Sequence, residues 1–226
     1  MSTVVSILSP KGGVGRSTLA TNLAGGLSEF GYRTLLVDAD PQGSVVDWEN
    51  ERIDNWDMPP IVMSLPPDAE LEELKKLIDD FDWVVVDTPA GLERLSMAAL
   101  YVADCILIPI RPSAPDLWAT EPLIDLVKAR LSGLSGTGRI VPAAFVCLQS
   151  IYGTDLAKEV DAAASSLGFP ILTTRTTMRV DYSEAFQVGL TVPTLKPGSE
   201  GDREVTALLK EIIKLISVKP EEHVQS

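Results

Sequence analysis

Ser9-Pro10-Lys11-Gly12-Gly13-Val14-Gly15-Arg16-Ser17-Thr18 decides the fold of this chain. Ahead of it runs Val4-Val5-Ser6-Ile7-Leu8, apolar enough for a buried strand, and behind it Leu19, Leu23 and Leu27 return one helical turn apart. Strand, glycine-rich turn and helix is the setting in which backbone N–H groups and a helix N-terminus cradle phosphate. The strict pattern G-x-x-x-x-G-K-[ST] fails at two positions, with Pro10 at its first glycine and Arg16 at its lysine. Arginine keeps the positive charge but is bulkier, planar and forked. Whether native or introduced, it predicts that binding survives better than turnover.

Further motifs follow at strand ends. Thr34-Leu35-Leu36-Val37 runs into Asp38-Ala39-Asp40-Pro41-Gln42, and Trp83-Val84-Val85-Val86 runs into Asp87, then Thr88-Pro89-Ala90-Gly91. Acidic residues at the carboxyl ends of strands point into the crevice where α/β sheets bind ligands. Four apolar residues ending in aspartate match the Walker B pattern, whose carboxylate sits beside Mg²⁺, usually through a water.

The remaining chain continues the alternation. Residues 47–70 are the least regular, with Trp48, Trp56 and two Pro-Pro pairs suggesting a connection packed on the domain, and Ile61-Val62-Met63 as a short strand. Leu71, Leu74, Leu77 and Ile78 give an amphipathic helix. Helix 96–102, strand 105–110, a loop over 111–115, then a helix to about Leu131 and strand 141–148 come next. A helix from Thr154-Asp155 to Leu167, a short strand Ile171-Leu172 and a last helix through Val205, Leu208, Leu209, Ile212, Ile213 and Ile216 complete the reading. Strands alternating with helices predict an α/β fold, a mainly parallel sheet with helices on both faces.

Composition narrows the classes. The chain has 226 residues, 45% of them hydrophobic, which suits one domain over 1–217 with 218–226 as a polar tail. No run approaches the roughly 18 apolar residues of a membrane span, and no signal-peptide layout precedes the glycine loop, so cytoplasm is the expected compartment. Cys105 and Cys147 lie in apolar runs and read as buried thiols, with no C-x-x-C pair to suggest an iron–sulfur site. His223, in the tail, carries no expected role. A net charge of −13 disfavours a surface that embraces nucleic acid as a whole, while leaving a local basic patch open.

The loop K-G-G-x-G-x-[ST], with its early lysine, resembles the variant P-loop of the ParA/MinD family of dimerising ATPases, closest to the compact ParA type. D-x-D-P-Q and D-[ST]-P-A-G resemble that family's two switches. The resemblance covers most of the chain and implies ATP and Mg²⁺ as ligands. Gly12, Gly13, Val14, Gly15 and Arg16 would surround the β-phosphate, Ser17 would ligate Mg²⁺, and Thr18 would touch the α-phosphate. Lys11 would reach across a nucleotide-sandwich homodimer to the partner's phosphates. Asp40 would orient the attacking water, and Asp38 and Asp87 would lie near the metal shell. Gln149-Ser150 resemble, weakly, groups that relatives place near the base.

Thr173 to Val180 resembles a family segment whose two arginines border the adenine pocket in some members and DNA in others. Arg175 and Arg179, joined by Lys214 of the last helix, are candidate DNA contacts, and a solvated polar loop explains them as well. The function implied is a partition or positioning ATPase. Its ATP dimer would bind DNA non-specifically on the nucleoid, and an adaptor protein would stimulate hydrolysis. A MinD-like membrane-cycling ATPase is an alternative, but Val218-Lys219-Pro220-Glu221-Glu222 lacks a basic amphipathic helix, so no stable membrane anchor is expected. A metabolic P-loop enzyme is the other.

Overall fold

A computed structural model describes residues 2–53, 56–150, 160 and 164–217. Six strands form one parallel sheet in the order β3-β2-β4-β1-β5-β6. They are β1 (Thr3–Ile7), β2 (Thr34–Asp38), β3 (Ile61–Ser64), β4 (Trp83–Asp87), β5 (Cys105–Ile110) and β6 (Ala143–Cys147). The apolar runs are continuous because both faces are covered, and β2, β4, β5 and β6 are buried at every residue. Side-chain alternation divides each strand between two cores. Val84 and Val86 join Leu35, Ile106 and Phe145 on one face, while Val85 joins Ile7, Leu36 and Leu107 on the other.

The second core is closed by α1 (Arg16–Glu29), whose Leu19, Leu23 and Leu27 are buried as their spacing requires. Gly25 and Gly26 extend that burial. A Cβ on Gly25 would lie 2.3 Å from Thr191 Cγ2, and one on Gly26 2.8 Å from Leu209 Cδ2. Bare backbone there lets neighbouring elements approach. Gly31, at φ 89°, ends the turn after the helix, donating its N–H to Ser28 O at 2.8 Å.

Four expectations change. Residues 44–50 form α2 (Ser44–Asn50), and Trp48 is buried, edge-on to Trp56 at 5.8 Å. The single helix expected between the 111–115 loop and about Leu131 is two, α5 (Ala114–Trp118), which takes in the end of that loop, and α6 (Glu121–Ser132), because Thr120 and Pro122 start a new helix. The segment Ile171-Leu172 makes one isolated bridge, Phe145 with Ile171, instead of a strand. Beyond the arginine segment lie α7 (Val180–Gln187) and α8 (Val192–Leu195) before the long α9 (Glu200–Ser217). The amphipathic helix α3 (Leu71–Ile78) lies as expected, and the helix expected over 96–102 is α4 (Arg94–Val102), which starts two residues earlier. Most of the helix expected from 154 to 167, and residues 218–226 with His223, lie outside the described residues.

Register sets the site. Asp87 stands level with Ile7 on one side and Asp38 on the other, so three strand ends release their loops at one edge.

Candidate nucleotide site

The glycine loop springs from β1 and turns into α1 through Gly13 at φ 73° and Gly15 at φ 99°, left-handed conformations that glycine adopts without strain. Gly15 is the N-cap of α1, with no side-chain cap and no acidic residue in the first turn. The positive end of a 14-residue helix therefore faces the cleft without an anion of its own. The cleft has a volume of about 610 Å³ and is lined by Gly12, Gly13, Arg16, Ser17, Asp40 and Pro89, among others. Thr88 Oγ1 donates to Ile7 O at 2.8 Å and Gly91 N to Ser9 O at 3.1 Å, so the loop after β4 is tied to the glycine loop.

Three strand-end carboxylates are put to different uses. Asp38 is buried, and its oxygens accept from the backbone N–H groups of Asp40 at 3.1 Å, Val45 at 3.0 Å and Val46 at 3.0 Å. Burial raises its carboxyl pKa against the opposing pull of those donors. Asp38 thus holds the 40–46 turn and the start of α2. Asp40 pairs with Arg16, Nη2 to Oδ2 at 3.0 Å.

Asp87 is fully buried, and neither carboxylate oxygen has a hydrogen-bond partner among the described residues. Burial pushes its carboxyl up to about 7, opposed by the Ser17 hydroxyl and the Arg16 charge and assisted by the negative charges of Asp38 and Asp40. A buried carboxylate left with unsatisfied oxygens is costly unless something fills them. The residues present therefore fit a hydrated Mg²⁺, with Asp87 facing its water shell and the half-buried Ser17 hydroxyl beside it. No group of three or more His, Cys, Asp or Glu side chains suited to a metal ion occurs among the described residues.

Lys11 is half-exposed and bonds the carboxylate of Asp116, which also accepts from Arg111 Nε at 2.6 Å. Asp116 is buried at the start of α5. Ser113 Oγ accepts from Asp116 N at 3.2 Å and so caps α5. Gln149, at φ 56°, stands where the phosphate cleft meets a second, apolar cavity of about 550 Å³ between α1, α7 and α9.

Of the three candidate DNA contacts, Arg179 is paired with carboxylates of α9. Arg179 donates to Glu204 at 3.0 Å and pairs with Glu200 at 3.4 Å. Glu211 accepts from Thr173 N at 2.7 Å and Thr174 N at 2.8 Å. Carboxylates of α9 thus lie along the arginine segment, with Arg175 half-buried and Lys214 exposed. Spacings of four and seven residues put Glu200, Glu204 and Glu211 on one side of α9, beside the loop, a proximity invisible in the sequence. Among the described residues no helix is long and apolar enough to cross a membrane.

Residues 5–216 match the family model described as the CobQ/CobB/MinD/ParA nucleotide binding domain. The chain is 33% identical over 214 residues to the maintenance of carboxysome distribution protein A of Halothiobacillus neapolitanus, covering 92% of this chain and 95% of that one. It is 26% identical to the chromosome-partitioning ATPase Soj of Thermus thermophilus, over 92% of this chain and 94% of Soj. The fold is shared with the Pyrococcus furiosus cell division ATPase MinD, at a TM-score of 0.73 and 24% identity over 95% of this chain and 100% of that one. The glycine loop, the aspartates at the strand ends and a match spanning nearly the whole chain place this protein in the CobQ/CobB/MinD/ParA family of nucleotide-binding domains, as a P-loop ATPase of the ParA/MinD type.

Proposed function

We propose that this protein is a ParA-type positioning ATPase, which dimerises on ATP, holds DNA non-specifically in that state, and lets go when an adaptor protein stimulates hydrolysis. The observation that supports it most is Lys11. It sits in the glycine loop with half its side chain exposed and its ammonium on Asp116, and it is not among the residues that line its own phosphate cleft. A cation so placed suits phosphates brought by a second copy of the chain. The match along almost the full length of the Halothiobacillus carboxysome-distribution protein and of Soj supports a large cargo, whether a DNA molecule or a protein body.

In this reading the N–H groups of Gly12 to Gly15 and the N-terminus of α1 bind the phosphates. Thr18 lies beside the α-phosphate, and Ser17 and Asp87 hold the hydrated Mg²⁺. That ion, when bound, supplies positive charge against the β- and γ-phosphate oxygens. Asp40 orients the attacking water. Hydrolysis is then a timer, since losing the γ-phosphate removes the anion that draws the loops after β2 and β4 into their ATP-bound arrangement.

The deciding experiment is retention on non-specific double-stranded DNA with ATP–Mg²⁺, against ADP, at low and moderate salt. ATP-dependent, salt-sensitive retention is the expected result. An ATP dimer that ignores DNA would overturn the DNA part of the reading and send the search to membranes and protein partners.

A further inference from the structure

Arg16 stands where the usual loop has lysine, and its surroundings are unlike those of a cation awaiting phosphate. Its side chain is 8% exposed and that of Asp40 is 12% exposed. Nη2 donates to Asp40 Oδ2 at 3.0 Å, and Nη1 lies 3.4 Å from Ser9 O. Nε is buried without a hydrogen-bond partner among the described residues. The other oxygen of Asp40 accepts from Gln42 N at 3.0 Å, which fixes the carboxylate in the loop after β2. Both side chains line the cleft that faces the bare N-terminus of α1. The strongest cation of the phosphate site is therefore already engaged by the carboxylate expected to orient water.

From this we infer that Arg16 is a positioning residue that serves Asp40 and the nucleotide phosphate in turn. Without nucleotide, the ion pair locks Asp40 against the glycine loop. A phosphate entering the cleft takes the guanidinium, offers Nε the acceptor it lacks, and releases Asp40 toward the reacting water. Lysine cannot do this as well, because its donors share one nitrogen, whereas the planar guanidinium spans Ser9 O and Asp40 and still has Nε to offer a phosphate. The inference rests on the nucleotide-binding reading. It makes Asp40 an internal competitor of nucleotide, so removing its charge should tighten binding. Plain repulsion between Asp40 and phosphate also predicts tightening, but equally whatever occupies position 16.

The test is a double-mutant cycle on affinity. ADP and a non-hydrolysable ATP analogue, each with Mg²⁺, are titrated calorimetrically into wild type, Asp40→Asn, Arg16→Lys and the double variant. Asp40→Asn should tighten binding about tenfold when Arg16 is present and less than about twofold in the Arg16→Lys background. Equal tightening in both backgrounds, or weakening in either, would overturn the inference. Thermal unfolding gives a readout that does not need Arg16→Lys. Asp40→Asn should lower the melting temperature without nucleotide, and the gap should close at saturating ADP–Mg²⁺. A gap of unchanged size would equally overturn it. Folded wild type that binds no nucleotide would overturn the ATPase reading itself, and this inference with it.

Discussion

Lys11 rests on the carboxylate of Asp116, a residue 105 positions further along the chain, and shares it with Arg111. The glycine loop is thereby anchored to the start of α5, and the cation is neutralised inside its own subunit. Burial alone would raise the Asp116 carboxyl, but the hydrogen bonds from Arg111 and Lys11 prevail and hold it below the usual range. A carboxyl held low in the folded state contributes stability above the unfolded carboxylate range, and that contribution is lost as pH falls through it. Asp116→Asn should cost about 1–2 kcal/mol at neutral pH, lower the melting temperature by about 3–6 °C, and narrow the difference from wild type in acid. A difference that stays constant down to about pH 3 would show that the pair contributes nothing.

Lys11→Ala should leave ADP binding within about twofold and abolish ATP-driven dimerisation, because Lys11 is not among the residues that line the cleft of its own subunit. Light scattering with ATP–Mg²⁺ reads the outcome. A normal ATP dimer would refute a role for Lys11 across the interface.

Asp87 carries the opposite pH signature. Its carboxyl is raised to about 7 by burial, so between about pH 4 and 7 the folded protein holds a proton that the unfolded chain has released. Without metal, stability should fall as pH rises through that window and level off above it. Asp87→Asn should flatten this slope, and Asp87→Ala should abolish Mg²⁺-dependent hydrolysis. Unchanged turnover in the alanine variant would sink the assignment.

The sheet and the glycine loop were legible because each is local. A buried parallel strand is a continuous apolar run, and a phosphate loop is a fixed spacing of glycines, so β1, β2, β4 and β5 and the turn at Gly13 and Gly15 follow from the residues themselves. What escaped depends on distance in the chain. Asp116, Glu204 and the Asp40–Arg16 pair acquire their partners only when separate elements meet. The helix Ser44–Asn50 was hidden because Asp38, at the end of a strand, caps it from outside its own sequence. Arg179 looked free in sequence because the acids facing it, Glu200 and Glu204, belong to α9.

Two glycines with positive φ separate backbone conformation from close approach. Gly31, at φ 89°, has nothing within 4 Å of where a Cβ would stand, whereas a Cβ on Gly189, at φ 66°, would fall 2.2 Å from Arg52 Cα. Gly31→Ala should cost about 1–2 kcal/mol, the ordinary left-handed penalty. Gly189→Ala should cost more than about 3 kcal/mol, since backbone next to α2 would have to move. Denaturant melts showing equal losses would mean that the chain around Arg52 yields easily.

Glu204 offers a way to test the arginine segment by gain instead of loss. It accepts from Thr177 N at 3.0 Å, Thr177 Oγ1 at 2.6 Å, Arg179 Nε at 3.0 Å and Tyr182 Oη at 2.9 Å. Glu204→Gln keeps the shape but removes the charge that neutralises Arg179, at a stability cost of about 1–3 kcal/mol. If Arg179 meets DNA phosphate, this variant should bind non-specific DNA more tightly than wild type with ATP–Mg²⁺. Every additional phosphate that it neutralises should steepen the logarithmic salt dependence by about one. Arg179→Ala should do the reverse, weakening retention and flattening the slope. Should Glu204→Gln leave both affinity and slope unchanged while remaining folded, Arg179 belongs to the internal network with Glu204 and Tyr182, and the DNA-contacting surface lies elsewhere on the dimer.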